Sequence, residues 1–111
     1  MPTPPAGWPT PIAINELPLR GRVVCAGVID AVTIVPASAS PQYSAIIADR
    51  EFHRVANDGG SHRLRLVWLG RRRVPGMVVG TRVRIEGMVS LRDGLPTIYN
   101  PRYEIIGTQE T

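Results

Sequence analysis

The residues best suited to chemistry lie in one stretch, Arg63 to Gly76, which reads RLRLVWLGRRRVPG. It begins as an alternating strand, with Arg63 and Arg65 on one side and Leu64, Leu66 and Trp68 on the other. Alternation at period two marks a strand with one wet face and one buried face. After Gly70 come three consecutive arginines, Arg71, Arg72 and Arg73, then a Val-Pro-Gly turn. A guanidinium presents a planar fork that grips phosphate bidentately and stacks on bases, so the chemistry on offer is recognition of a polyanion. All 13 basic residues are arginine, the net charge is +4 and the chain has no lysine. The bland reading of that bias is GC-rich codon usage, and phosphate binding is the functional reading beside it. The basic balance favours an anionic partner without specifying a fold.

Other candidate binding residues surround this stretch. Tyr43 opens a second strand and is a candidate stacking platform. Phe52, His53 and Arg54 put an aromatic beside basic groups in a long connection, and Arg92 lies at a late turn. The bland alternatives are ion pairing of Arg63 and Arg65 with Asp49 or Glu51, and solvated loops for the rest. Trp68 shares parity with the core leucines and is expected in the core; Tyr99 and Tyr103 are expected to be structural. An aromatic content of 5% argues against a rich stacking surface.

Catalysis finds little support. Cys25, His53 and His62 are too few and scattered for a metal site. No G-x-S-x-G elbow occurs, nor a G-x-x-x-x-G-K-[ST] phosphate loop. We therefore expect no catalytic residues, no metal and no cofactor. The single cysteine cannot form an internal disulfide and reads as a small buried hydrophobe. No run approaches the ~20 apolar residues of a membrane helix, and the N-terminus lacks signal-peptide character, so the expected location is cytoplasmic.

The elements that must position these residues read as strands. Residues 1–11 carry five prolines and form a flexible or polyproline-like arm containing Trp8. Ile14 and Leu17 in the lead-in are placed to plug one end of a barrel. Arg22 to Val35 is a long strand, apolar on both parities, with Gly27 in its middle, where glycine permits a bend and a change of pairing partner. Tyr43 to Asp49 is the second strand and Arg63 to Leu69 the third. Asn57 to Gly60 mark a turn in the long connection between them. A helical turn is expected near Pro75 to Val79. Thr81 to Ser90 is the fourth strand, with Val83, Ile85 and Val89 on one face and Arg82, Arg84, Glu86 and Met88 on the other. Asp93-Gly94 makes a tight turn, and Pro96 to Ile106 is a fifth strand interrupted at Pro101. Five strands, the first long and bent, fit an all-β, five-stranded Greek-key OB-fold barrel over residues 12–107, with a polar tail at 108–111. An SH3-like barrel is the structural competitor.

The chain resembles OB-fold nucleic-acid-binding domains, in particular the wedge domain of RecG-type branched-DNA helicases and small free-standing bacterial OB proteins. Ile14, Leu17, Gly21, Val23 and Gly27-Val28 resemble the lead-in and first strand. Leu64, Leu66 and Trp68 resemble an L-x-L-x-W/F third strand. Gly80, Val83, Ile85, Gly87 and Val89 resemble the fourth, and Asn100-Pro101-Arg102-Tyr103 with Glu104-Ile105-Ile106 resembles a closing H-P-E-Y-E-I-I. The connection from Arg50 to Ser61 is longer than the family's turn, and no helicase motor is present. The resemblance thus implies gripping of nucleic acid without unwinding: a non-catalytic binder of single-stranded or branched DNA, or of RNA. The expected contacts are Arg63, Arg65, Arg71, Arg72, Arg73, Arg92, Tyr43, Phe52 and Arg54. The alternative is a protein-interaction or self-associating module.

Overall fold

The computed structural model describes residues 11, 12, 14–18, 20–48 and 63–108. Six strands follow a short 3-10 turn at Ile14–Glu16: β1 (Gly21–Ile34), β2 (Gln42–Ala48), β3 (Arg63–Leu69), β4 (Thr81–Arg92), β5 (Leu95–Tyr99) and β6 (Arg102–Thr108). They form one sheet in the order β1-β2-β3-β5-β4-β6, closed by pairing of β1 with β4. All pairings are antiparallel except β3 with β5. β5 and β6 are the two halves of the expected fifth strand, broken at Asn100-Pro101. This is an all-β, five-stranded barrel of the OB type with an added strand segment, and no α-helix occurs among the described residues.

β1 explains how one strand closes a barrel. Its first half, Gly21 to Val28, pairs with β4, and its second half, Val28 to Ile34, pairs with β2. The change of partner expected after Gly27 is present. A Cβ at Gly27 would stand 2.7 Å from the Ala48 carbonyl oxygen and 2.9 Å from Ile14 Cδ1. Only glycine lets the crossing chains approach so closely. The bulge itself falls further along, where the register shifts between Ile29 and Ala31. That extra residue flips parity: Val23, Cys25 and Ile29 face the core before it, and Val32, opposite Ala45, packs against the core after it. A strand apolar on both parities is the sequence trace of this flip.

The core contains Ile47, Leu64, Leu66, Trp68, Val83, Ile85, Val89 and Ile98, and the lead-in contributes buried Ile14, with Leu17 packed against it. At the end where β3 leads into β4, Val74 and Met77 are buried as a plug. The helical turn expected at Pro75 to Val79 is absent. Gly76 has φ +79°, and the amides of Met77, Val78 and Thr81 donate to the carbonyls of Val74, Gly76 and Val78. These are successive tight turns that bury two side chains, with no helical ladder between them. Asp93 and Gly94 both take positive φ, 52° and 76°, as a two-residue hairpin turn of the primed type requires.

Candidate nucleic-acid interface

On β3, Leu64, Leu66 and Trp68 point into the barrel, which sends Arg63 and Arg65 outward. Each has an acidic neighbour among the described residues. Arg63 pairs with Asp30 of the β1 bulge at 3.5 Å, and Arg65 with Asp93 of the β4–β5 turn at 3.7 Å. Asp49 and Glu51 lie outside the described residues. The Asp93 carboxylate is 89% exposed, so water screens that pair heavily and a competing anion can displace it.

The outward parity continues across β5. Val67 stands opposite Tyr99, and Arg65 opposite Thr97, although Val67 and Thr97 are themselves buried. Tyr99 is 44% exposed, and the guanidinium carbon of Arg92 lies 6.0 Å from its ring centroid, within cation–π range. On the other side of β3, Ile46 and Ser44 of β2 face Arg65 and Val67. The result is a strip over β2, β3 and β5 carrying Arg63, Arg65, Arg92 and one presented aromatic ring. The Asp93-Gly94 turn lies at one end of the strip and the β1–β2 loop at the other.

Tyr43 corrects an expectation. It alternates with Gln42 and Ser44, so its ring enters the core, 6% exposed, at 6.4 Å from Trp68. Its hydroxyl donates to the Met77 carbonyl at 2.6 Å. It fastens the plug and is no stacking platform. Among the described residues the presented ring is Tyr99, which the sequence reading counts as structural. The signal lies in parity: Ile98 is a core residue, so its neighbour must face out. Trp68 is in the core as expected, with Nε1 donating to the Pro101 carbonyl at 3.2 Å. Tyr103 is structural too, edge-on to Trp68 at 5.7 Å, its hydroxyl donating to the Pro75 carbonyl.

The arginine triplet does not act as one patch. Arg72 donates to the carbonyls of Pro36, Ala37 and Ala39 at 3.3, 3.0 and 2.8 Å. It ties the β1–β2 loop to the β3–β4 link and so sets one end of the strip. Arg71 lines a cleft of about 530 Å³ with Trp68, Asn100 and Arg102. Arg73 borders a different cleft, about 800 Å³, with Ile34, Met77 and Val78. Phe52 and Arg54 lie outside the described residues.

The opposite face, over β1, β4 and β6, treats its arginines differently. Glu86 sits between Arg22 at 3.4 Å and Arg102 at 3.0 Å, and Arg84 holds Glu104 at 2.6 Å. These are cross-strand ladders built into the sheet. Among the described residues no group of three or more His, Cys, Asp or Glu could hold a metal, and no helix is long and apolar enough to cross a membrane. Cys25 is buried, which pushes its thiol up to about 12, well away from a reactive thiolate.

Fold and site together define a small OB-type barrel with an arginine-lined outer strip and, among the described residues, a single presented aromatic ring. Comparison with protein-family models, curated proteins and solved structures finds no match to this chain.

Proposed function

We propose that the protein is a non-catalytic nucleic-acid binder that takes single-stranded DNA, branched DNA or RNA across the outer strip of β2, β3 and β5. The observation that carries this reading is the placement of Tyr99 beside Arg92 on the same strip as Arg63 and Arg65. Such a strip can combine backbone neutralisation with stacking of a base, the pairing that single-strand binders use. The ion pairs of Arg63 with Asp30 and of Arg65 with Asp93 are long, and Asp93 is exposed to solvent, so a phosphate can replace it on Arg65 at little cost. Gripping without a motor is also the role implied by the likeness to helicase wedge domains, and a cytoplasmic setting belongs to the same reading.

The test is a titration of the purified protein against labelled single-stranded DNA, duplex, forked DNA and single-stranded RNA at two salt concentrations. Three arginines on phosphates of a single strand give a slope of log K against log salt of about −2, from roughly −0.7 per contact. Tyr99→Ala removes a stacked base and costs ~1–3 kcal/mol of binding. No binding to any of these ligands at low salt overturns the proposal.

A second reading, a protein-interaction module, is favoured by one observation. The cleft beside Arg73 is lined by exposed Ile34 and Val78. Charge reversal at Arg71 and Arg73 that abolishes partner capture while leaving nucleic-acid retention intact would select it.

A further inference from the structure

β6 is the last strand of the sheet, and among the described residues it pairs with β4 alone. A cleft of about 530 Å³ runs along Asn100 to Glu104, with Trp68 and Arg71 on its other wall. Pro101 at its start and the bulge near Ile106, where the register with β4 shifts, at its far end confine strand addition to the residues between them. Between them lie Arg102, Tyr103, Glu104 and Ile105, the last 46% exposed.

The charges on this segment are self-complementary in one register only. Arg102 and Glu104 project from the outer face, opposite Glu86 and Arg84 of β4, while Tyr103 turns toward Trp68. In an antiparallel pair of identical strands, faces match only when the two-fold axis passes through a residue. An axis at Arg102 sets arginine against arginine, and one at Glu104 sets glutamate against glutamate. An axis at Ile105 runs into the bulge. An axis at Tyr103 places Arg102 opposite Glu104 of the second copy, twice. It also extends the existing ladder, Arg22–Glu86–Arg102, by an acid and then an arginine from the other chain.

We propose that a second copy of the chain adds to the outer edge of β6, antiparallel, with its two-fold axis at Tyr103. The contact uses none of Arg63, Arg65, Arg92 or Tyr99, so it stands independently of the nucleic-acid reading.

Two measurements test it. Sedimentation equilibrium of the unaltered chain from about 5 µM to 0.5 mM covers micromolar to sub-millimolar dissociation constants; a monomer–dimer equilibrium is expected, and a monomer throughout overturns the proposal. The register is read by cysteine pairing, with Arg102→Cys and Glu104→Cys as separate proteins whose folding is checked by circular dichroism. Cys25 is fully buried and does not compete. In a mixture of the two variants, the thiol introduced at position 102 of one chain faces the thiol introduced at position 104 of the other, while the second Arg102–Glu104 pair survives. The mixture should cross-link at least roughly tenfold faster than either variant alone, the ratio that ~1.4 kcal/mol of register preference gives. Equal rates alone and mixed place the contact elsewhere and refute the axis at Tyr103.

Discussion

Replacing Asn100 tests how the barrel turns its last corner. Asn100 has φ 53°, in the left-handed region that asparagine tolerates better than most residues. Its Oδ1 accepts from the Leu69 amide at 2.9 Å, and its own amide donates to the Val67 carbonyl at 2.6 Å. The residue therefore does two separable things: it adopts the kink, and its side chain caps the end of β3. Asn100→Ala loses both. The lost bond costs ~0.5–1.5 kcal/mol, and alanine in this conformation adds ~1–2 kcal/mol, for a total of roughly 1.5–3.5 kcal/mol. Asn100→Gly loses the bond but accepts the conformation, so it should cost only ~0.5–1.5 kcal/mol. Asn100→Asp keeps an acceptor and the tolerance, and should stay close to the parent. Urea unfolding followed by far-ultraviolet circular dichroism measures all three, and a common m value would show that the variants share one transition. If glycine proves as damaging as alanine, the left-handed conformation is not what Asn100 supplies, and the reasoning fails. If alanine costs less than ~0.5 kcal/mol, an ordinary surface value, the corner is held by Trp68 and Pro101 without it.

Three further outcomes are expected. Gly27→Ala should destabilise by ~1–3 kcal/mol through overpacking against the Ala48 carbonyl, outweighing the ~0.5–1 kcal/mol that alanine ordinarily gains over glycine inside a strand; thermal unfolding decides the sign. Cys25 should resist iodoacetamide at pH 8 in the folded chain and react on unfolding. Because the native thiol keeps its proton up to about 12, against 9.0 for the ordinary group, the unfolded state binds fewer protons in that window. Stability should therefore fall as pH rises from 9 toward 12, by at most about 1.4 kcal/mol per pH unit from this group, and Cys25→Ala should remove that component from the pH profile. Arg84→Ala should cost ~1–3 kcal/mol of stability by stripping Glu104 of a close partner and leave nucleic-acid binding little changed, whereas Arg65→Ala should do the reverse, with stability within ~1 kcal/mol of the parent.

What can be read from the sequence follows from which signals are local. Strand alternation is local, so spacing alone sends Leu64, Leu66 and Trp68 inward and Arg63 and Arg65 outward. The bent first strand is legible in Gly27 and in the mixed parity of Arg22 to Val35. The position of the bulge is not, because steric closeness at Gly27 and the register shift near Asp30 are separate events. Tyr43 misleads because its sense depends on the register of β2 against β3, which sets Tyr43 and Ala45 opposite the core residues Trp68 and Leu66. The arginine triplet looks like one patch because contiguity suggests a common direction. Only the fold reveals that the β1–β2 loop presents three carbonyls to Arg72. The plug at Val74 and Met77 mimics a helical turn because both arrangements bury residues three apart.

The two outer faces of the barrel use the same residue for different ends, and the geometry separates them. On β4 and β6, arginine and glutamate occupy directly opposed sheet positions, so their spacing is set by the strands and the pair forms as the sheet forms. On the strip of β3 and β5, the acids come from a bulge and a turn, and the pairs are longer, at 3.5 and 3.7 Å. Asp93 stands in a two-residue turn whose conformation is fixed by its own positive φ and that of Gly94, so it need not release Arg65 through any rearrangement of the sheet. A ligand phosphate arriving there exchanges one screened partner for another while the strand stays in place. Net charge alone does not distinguish the faces, since among the described residues arginine exceeds acid on both. What distinguishes them is whether the acid belongs to the ladder or to a turn beside it, and that difference makes the strip of β2, β3 and β5 the face where an incoming anion meets the least resistance.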